Sequence, residues 1–179
     1  QEGDGFTVDR MQFNSFANPY KDIYTRLDIG YLEEMFGGIG GEIYYRPFKS
    51  RLSSSLQIHK VKQRDYNQRF GFKDYETITG HIGFYYDFDS GIQTQLLAGK
   101  YLAGDIGSTI EFSRTFRTGV RLGAFATITN VTTAEFGEGS FDKGIFFNIP
   151  IFGNSINYTW RPLTKDPGAK LTRNHNLHD

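Results

Sequence analysis

The sequence predicts an all-β protein: an antiparallel meander of about 10–11 strands that forms an outer-membrane β-barrel or part of one. Apolar and polar residues alternate along most of the predicted strands, which gives each strand one apolar and one polar face. The connections alternate between short and long, so one rim of the meander carries short turns and the other carries long loops. Tyrosine and tryptophan lie near the strand ends. A soluble up-and-down barrel or sandwich is the alternative, because its faces also alternate.

The first half of the chain yields four strands. Residues 6–13 form a weak strand, followed by a turn that contains Asn18-Pro19. Residues 23–33 alternate clearly. A glycine-rich loop at 34–40 then leads into a strand at 41–47, and a tight turn leads into a strand at 52–62.

The second half of the chain is more regular. After a long charged and aromatic loop at 64–75, turn residues such as Asp89-Ser90-Gly91 and Gly153-Asn154 separate runs of alternating residues. These runs predict six further strands, at 76–88, 92–102, 108–116, 119–129, 144–152 and 155–161. Residues 162–179 form a C-terminal tail, in which Ala169 to Arg173 would be an eleventh strand.

The predicted polar face is rich in charged and amide side chains, namely Arg26, Asp28, Gln57, His59, His81, Gln93, Gln95, Glu111, Arg121 and Arg161. In a membrane barrel the apolar face contacts lipid and the polar face lines the lumen. We therefore expect Thr109, Glu111, Arg121, Thr127 and Asn148 to point inward. The outward set is Ile110, Phe112, Val120, Leu122, Ala124, Ile128, Ile145, Phe147 and Ile149.

Composition excludes several classes. No window approaches 18 consecutive apolar residues, so no transmembrane helix is predicted. The formal net charge is zero, which gives no electrostatic case for a nucleic-acid partner. Cysteine is absent, which excludes a disulfide scaffold and a thiolate metal site.

Five segments resemble the C-terminal region of the YjbH/GfcD family of outer-membrane proteins associated with exopolysaccharide and capsule production. They are YLEEMFGGIGGEIYYRPF (31–48), QRDYNQRFGFKDYETITGH (63–81), GKYLAGDIGSTIEFSRTFRTGVRLGAF (99–125), FGEGSFDKGIFFNIP (136–150) and WRPLTKDPGAKLTR (160–173). Members of that family are several times longer than this chain, which resembles their final quarter. The resemblance implies that residues 1–179 are one barrel portion, the C-terminal part of a longer protein.

The resemblance also implies a function in the bacterial outer membrane. We expect a non-catalytic barrel component of exopolysaccharide or capsule secretion, with a polar lumen that contacts the glycan and with no cofactor. The expected partners are outer-membrane lipid, polysaccharide and other secretion proteins or the missing N-terminal part of the barrel. Two alternatives remain open: a polysaccharide-modifying enzyme that uses loop carboxylates, and a scaffold subunit that binds a protein partner.

The candidate site residues lie mostly in the loops and serve either glycan binding or loop packing. They are Glu34, Arg64, Asp65, Asp74, His81, Asp105, Glu135, Glu138, Asp142 and Lys143. Two carboxylates about 5–10 Å apart would suit glycoside hydrolysis. No spacing in the sequence singles out such a pair. We therefore favour the interpretation that these acids are solvated or hold neighbouring loops together. His59 and His81 lie on polar strand faces, and a metal site would need a third ligand, so we predict pore-lining or hydrogen-bonded histidines.

Two further expectations concern the rims and the sheet edge. The loops at 34–40, 64–75, 103–107 and 130–144 should pack at one rim, with Arg64, Arg69 or Lys143 paired to carboxylates. In that packing Phe70, Phe72, Phe136 and Phe141 would be partly buried. An unpaired strand edge in a bilayer leaves backbone groups unsatisfied. We therefore expect the first strand, near Phe6, to pair with an upstream segment or a second chain.

Overall fold

The computed structural model describes residues 7–8, 11–33, 35–131, 141–151 and 154–160. In this part of the chain, ten strands form one antiparallel sheet in which each strand pairs with the next. A three-residue 3-10 turn, Asp89–Gly91, joins the fifth and sixth strands. The strands are β1 (Met11–Tyr20), β2 (Ile23–Tyr31), β3 (Phe36–Tyr45), β4 (Leu52–Arg64), β5 (Phe72–Asp87), β6 (Ile92–Lys100), β7 (Ile106–Thr115), β8 (Arg121–Thr129), β9 (Phe141–Ile151) and β10 (Asn154–Trp160). The predicted all-β meander is confirmed.

The sheet is not closed within the described residues. There, β1 pairs with β2 alone and β10 pairs with β9 alone. This arrangement is consistent with part of a barrel. Pairing of β1 with an upstream segment or a second chain stays a prediction.

The two faces of the sheet differ sharply in exposure. In β4 every second residue, as at Ser55, Gln57 and His59, is buried, whereas the alternating Leu56 and Ile58 are about half exposed. The same division continues in β7 and β8, where Thr109 and Thr127 are buried. We call the face with the buried polar residues the inner face and the opposite face the outer face. Burying apolar side chains normally stabilises a domain in water, so this arrangement is the reverse of a water-soluble fold.

The predicted orientation of the second-half strands is confirmed. The inward set has buried or half-buried side chains, and the outward set is exposed apart from the half-buried Val120 and Phe147. Period-2 alternation is sufficient for this prediction, because a one-residue slip would move every side chain to the other face.

Three predicted strand starts are wrong, at β1, β3 and β5; the last begins at Phe72, so residues 72–75 belong to a strand and not to the predicted loop at 64–75. The first strand covers Met11–Tyr20 rather than 6–13 and runs through Pro19, with an irregular register between Ala17 and Tyr20. Proline is tolerated there because it falls within this irregular stretch, where the ladder with β2 is interrupted and its missing N–H is not required. The glycine-rich segment 36–40, predicted as a loop, belongs to β3 and pairs with β4. Close backbone approach explains its glycines: a Cβ on Gly38 would overlap the carbonyl oxygen of Lys60.

The strand ends define two rims. We call the end with connections 32–35, 65–71 and 101–105 the loop rim, and the end with connections 21–22, 46–51, 88–91 and 116–120 the turn rim. The difference in connection length is smaller than predicted, because β3 begins at residue 36. At the turn rim, Arg51 Nη2 contacts Asp89 Oδ1 at 2.8 Å, and the Asp89 carboxylate raises the pKa of the Arg51 guanidinium.

Exposed aromatic side chains gather near both rims. Near the turn rim they are Tyr20, Tyr45, Phe48, Tyr86, Phe88 and Phe116. Near the loop rim they are Tyr66, Phe70 and Phe72. Between them the outer face carries mainly isoleucine, leucine and phenylalanine. Aromatic girdles on either side of an apolar band are the surface pattern of transmembrane β-barrels.

Candidate functional site

The inner face holds a network of five charged and polar side chains on three adjacent strands. Arg26 of β2 bonds Asp28 through Nε at 3.1 Å and approaches Glu42 of β3 through Nη2 at 3.7 Å. Gln57 of β4 donates to Glu42 Oε1 at 2.9 Å, and His59 Nε2 lies 3.2 Å from Asp28 Oδ2. The hydrogen bonds and ion pairs therefore link the inner faces of β2, β3 and β4.

A glycine makes the contact between His59 and Asp28 possible. These residues lie on β4 and β2, and both are in register with Gly40 of the intervening β3. A Cβ on Gly40 would overlap the His59 ring and lie 2.6 Å from the Ile58 carbonyl oxygen. The imidazole therefore crosses β3 through space that only glycine leaves open.

The network is strongly shielded from water. Asp28 and His59 are 3% and 1% exposed, and the side chains of Arg26 and Glu42 are 17% and 16% exposed. Charges with so little exposure need partners, and removing one partner is strongly destabilising. Oε1 of Gln57 is buried and has no hydrogen-bond partner, which leaves one acceptor in the network unused. The network can therefore accept a further hydrogen bond from a donor such as water or a hydroxyl group.

Tyrosine and serine side chains form a second group, closer to the turn rim. The Tyr44 and Ser53 hydroxyls lie 2.7 Å apart, and those of Ser55 and Tyr85 lie 3.1 Å apart. The Tyr44 and Tyr85 rings meet edge to face at a centroid distance of 5.6 Å. These half-buried rings offer apolar faces with hydroxyl groups beside them, which is the surface chemistry that suits a sugar ring.

The inner face of β5 to β8 carries a third group. The His81 ring lies 4.6 Å from the Tyr101 ring, and the Tyr101 hydroxyl lies 2.7 Å from Thr109 Oγ1. Thr109 Oγ1 in turn lies 2.8 Å from Thr127 Oγ1. Hydroxyl and imidazole groups therefore continue the polar surface as far as β8.

A charged pair lies nearer the turn rim on β7 and β8. Arg121 Nη2 donates to Glu111 Oε1 at 2.6 Å and to Ser113 Oγ at 3.1 Å. The side chains of Arg121 and Glu111 are 37% and 20% exposed, so water reaches this pair more easily than the network around Arg26.

An apolar cluster lies at the loop rim. Leu32, Phe36, Val61 and Leu102 are each at most 2% exposed and pack together, with Met35 against them. Leu102 lies in the connection after β6, whereas Leu32 follows β2, so the cluster spans the inner side from β2 to β6. Apolar side chains therefore cover the polar inner face at this rim.

Arg64 binds the backbone of the β4–β5 connection beside this cluster. Its guanidinium is fully buried, donates to the carbonyl oxygens of Gln68 and Arg69 at 2.8 and 3.0 Å, and lies 4.0 Å from the Tyr31 ring centroid. Loop packing at the loop rim is present, but through other phenylalanines than predicted. Phe70 and Phe72 are exposed, whereas Phe36 is buried. Phe136 and the Phe141 side chain lie outside the described residues.

The predicted site residues occupy several places in the sheet. Arg64 is at the loop rim, and Asp105 is buried in the β6–β7 connection. His81 and Asp142 are buried on β5 and β9, next to Gln57 and Thr127 in register. Asp65 is half buried and begins the β4–β5 connection, Asp74 is exposed on β5, and Lys143 is half buried on β9. Glu34, Glu135 and Glu138 lie outside the described residues.

Sequence reasoning missed the residues that the structure joins most closely. Arg26, Asp28 and Gln57 belong to the predicted polar face but are not among the predicted site residues. His59 is predicted to be a pore-lining or hydrogen-bonded histidine, and its contact with Asp28 agrees with the hydrogen-bonded alternative. Their signal is the alternation within β2 and β4, which places them on one face without showing that they touch. Glu42 and Tyr44 follow the glycine-rich segment 36–40, for which the sequence predicts a loop. No three His, Asp or Glu side chains in the described ranges are grouped to hold a metal ion.

The geometry defines a class of protein: an antiparallel β-meander with an apolar exposed face and a buried face of charged, amide and hydroxyl groups. Within the described residues, no helix is long and apolar enough to cross a membrane. The chain belongs to the YjbH family, described as exopolysaccharide biosynthesis protein, whose profile matches residues 2–179.

A relative in Escherichia coli strain K12, named uncharacterized lipoprotein YjbH, is 39% identical over 184 aligned residues. The alignment covers 96% of this chain, and the chain spans 26% of the length of that relative. No solved structure matches the chain.

Proposed function

We propose that this chain is part of the wall of an outer-membrane β-barrel that acts, without catalysis, in exopolysaccharide secretion. The observation that carries the proposal is the reversed burial of the two sheet faces. Isoleucine, leucine and phenylalanine on the outer face gain free energy in hydrocarbon, and the inner polar groups satisfy one another away from lipid. Family membership supports the link to exopolysaccharide. The lipoprotein name of the relative supports attachment to a membrane.

The inner face has groups suited to a polysaccharide. Sugar hydroxyls exchange hydrogen bonds with amide, carboxylate and hydroxyl side chains, and sugar rings stack on aromatic faces. Gln93, Gln95 and the Tyr44–Tyr85 ring pair are half buried on this face. Such contacts are individually weak, so they favour passage of a polymer over its tight capture.

The non-catalytic part of the proposal is tested on the loop carboxylates, because those of the inner network already have structural contacts. Asp28 and Glu42 are bound by Arg26, His59 and Gln57, which occupy their oxygens with structural contacts. Intact protein should not shorten purified exopolysaccharide, as measured by size-exclusion chromatography. If it does, and if replacing Glu135, Glu138 and Asp142 with their amides abolishes the shortening, the enzyme alternative is correct. Co-purification of a protein partner after glycan removal would support the scaffold alternative.

The membrane orientation is tested by spin labels at two neighbouring positions. These 179 residues contain no cysteine, so Leu122→Cys and Arg121→Cys each introduce a single attachment site within this chain. Leu122 is on the exposed outer face and Arg121 on the inner face. In membranes, we expect the label at position 122 to collide mainly with oxygen, which partitions into lipid. The label at 121 should collide more with a water-soluble nickel complex. Greater nickel access at 122 than at 121 would refute the lipid-facing assignment.

The role in secretion is tested in cells that lack the protein. Removing a secretion barrel should lower extracellular exopolysaccharide and leave polymer in the periplasm, whereas removing a synthesis enzyme should lower both pools. The wild-type gene should restore export. Normal extracellular polymer without the protein, or absence of the protein from the outer-membrane fraction, would contradict the proposal.

A further inference from the structure

Two tyrosine rings meet on the polar inner face and remain partly accessible there. Tyr44 of β3 and Tyr85 of β5 lie on either side of β4 in the sheet, and both are half buried. The rings of Tyr101 and Phe125, in contrast, are at most 8% exposed. Apolar surface that stays accessible in polar surroundings often marks a binding site. The Tyr44–Tyr85 ring pair is therefore the part of the inner face that is best suited to an amphipathic ligand.

Side chains of β4 hold both rings in fixed orientations. The Tyr44 hydroxyl lies 2.7 Å from Ser53 Oγ, and the Tyr85 hydroxyl lies 3.1 Å from Ser55 Oγ. Both serines are 5% exposed, so their small side chains leave room for the rings above them. Gly83 leaves further room, because a Cβ there would lie 2.9 Å from the Tyr85 hydroxyl. The rings are thus pre-oriented and lose little conformational freedom when a ligand stacks on them.

Uncharged hydrogen-bonding groups border the ring pair. Gln95 of β6 lies next to Tyr85 in register and is half buried on the same face. Its amide can both donate to and accept from a hydroxyl group, as can the tyrosine and serine hydroxyls. The surroundings of the rings therefore suit a ligand that carries several hydroxyl groups.

The charged side chains nearby are paired with one another. Arg26 contacts both Asp28 and Glu42, and Arg121 contacts Glu111. In this group three carboxylates share two guanidinium groups, so an acidic ligand would gain no surplus positive charge. A carboxylate brought beside Glu42 or Glu111 would instead be repelled.

We propose that the Tyr44–Tyr85 ring pair is a binding subsite for an uncharged pyranose unit of a polysaccharide. The C–H face of the sugar would stack on the rings, and its hydroxyl groups would exchange hydrogen bonds with Gln95. This inference rests on the proposed function, which brings the polymer to the inner face. A pyranose has an apolar C–H face bordered by hydroxyl groups, so it matches aromatic rings bordered by an amide and hydroxyls.

The test measures the binding of two matched probes to the intact protein by saturation-transfer NMR. Lauryldimethylamine oxide is a suitable detergent because it has no sugar headgroup. The probes are cellotetraose, which is uncharged, and the same tetrasaccharide oxidised to carboxylates at C6. Cellotetraose should receive saturation mainly at its ring C–H protons and should bind at least about tenfold more tightly than the oxidised probe. Equal or tighter binding of the oxidised probe, or no binding of cellotetraose, would overturn the proposal.

Two neighbouring tyrosines of β5 give matched variants. Tyr85→Leu removes the aromatic ring but keeps an apolar side chain, and it should weaken cellotetraose binding about tenfold. Tyr86→Leu makes the same change at the next residue, on the outer face, and should leave binding unchanged. Tyr85→Phe keeps the ring and should retain most of the affinity. An equal loss in Tyr85→Leu and Tyr86→Leu, or no loss in Tyr85→Leu, would refute the subsite.

Folding and secretion are measured separately from binding. Heat-dependent gel mobility shows whether each variant is folded. If Tyr85→Leu is not, Tyr44→Leu tests the same ring pair from β3, with the same expected loss and the same refuting result. The binding measurements need no export. Unchanged binding in the ring variants would therefore refute the subsite alone, whereas normal export without the protein would refute the secretion role alone.

Discussion

Replacing Arg26 with methionine is expected to lower the free energy of unfolding by about 3–5 kcal/mol. Arg26 is the cation between Asp28 and Glu42, and the side chains of all three are less than one fifth exposed. Without the guanidinium, two carboxylates remain close together in a shielded environment, and of the contacts described here Asp28 keeps the one with His59 and Glu42 the one with Gln57. Urea unfolding of the intact protein in detergent, followed by tryptophan fluorescence or by gel mobility, gives the measurement.

The control for this prediction is Arg121→Met on β8. That substitution breaks the Glu111 pair, but both side chains are reached by water, so the expected cost is about 1 kcal/mol or less. Removing the charges together, in Arg26→Met/Asp28→Asn/Glu42→Gln, should recover most of the loss, because no uncompensated carboxylate remains. Equal effects of Arg26→Met and Arg121→Met would show that the network is as well solvated as the pair on β7 and β8.

Replacing Gly40 with alanine is expected to lower the free energy of unfolding by about 3–5 kcal/mol, although the change adds only one methyl group. The cost is large because overpacking is combined with the loss of the hydrogen bond between His59 and the Asp28 carboxylate. The new Cβ overlaps the His59 ring and lies 2.6 Å from the Ile58 carbonyl oxygen. The ring must therefore move away from Asp28. The same unfolding measurement applies.

Gly80 provides the matched control for Gly40. It also lies in a strand, but the nearest atom to an added Cβ is the Gln57 carbonyl oxygen at 3.4 Å, an ordinary contact. Gly80→Ala should therefore change the free energy of unfolding by less than about 1 kcal/mol. In a His59→Ala background, Gly40→Ala should cost less than in the wild type, since the ring is gone. A cost independent of His59 would show that the backbone contact alone requires glycine.

Local pattern was sufficient for most of the fold. Strict alternation, as in Arg121–Thr129, predicted the strand and the orientation of its side chains, because a strand has period 2 in any context. The start of β3 was predicted wrongly because of its composition. Residues 36–40 are rich in glycine, which indicates a loop, yet they are paired with β4. Glycines favour turns in isolation, and only the neighbouring strand shows that they permit a close approach.

The sequence by itself determined an antiparallel β-meander with one apolar and one polar face. It also determined the family. The alternation of the strands and the family motifs can both be read from the order of neighbouring residues. Only the tertiary structure decided which residues come together across the sheet. His59 reaches Asp28 across Gly40, and Leu102 after β6 joins one apolar cluster with Leu32 after β2. Alternation places a side chain on a face but carries no information about register between strands. Contacts between residues on non-adjacent strands depend on that register and on the curvature of the sheet.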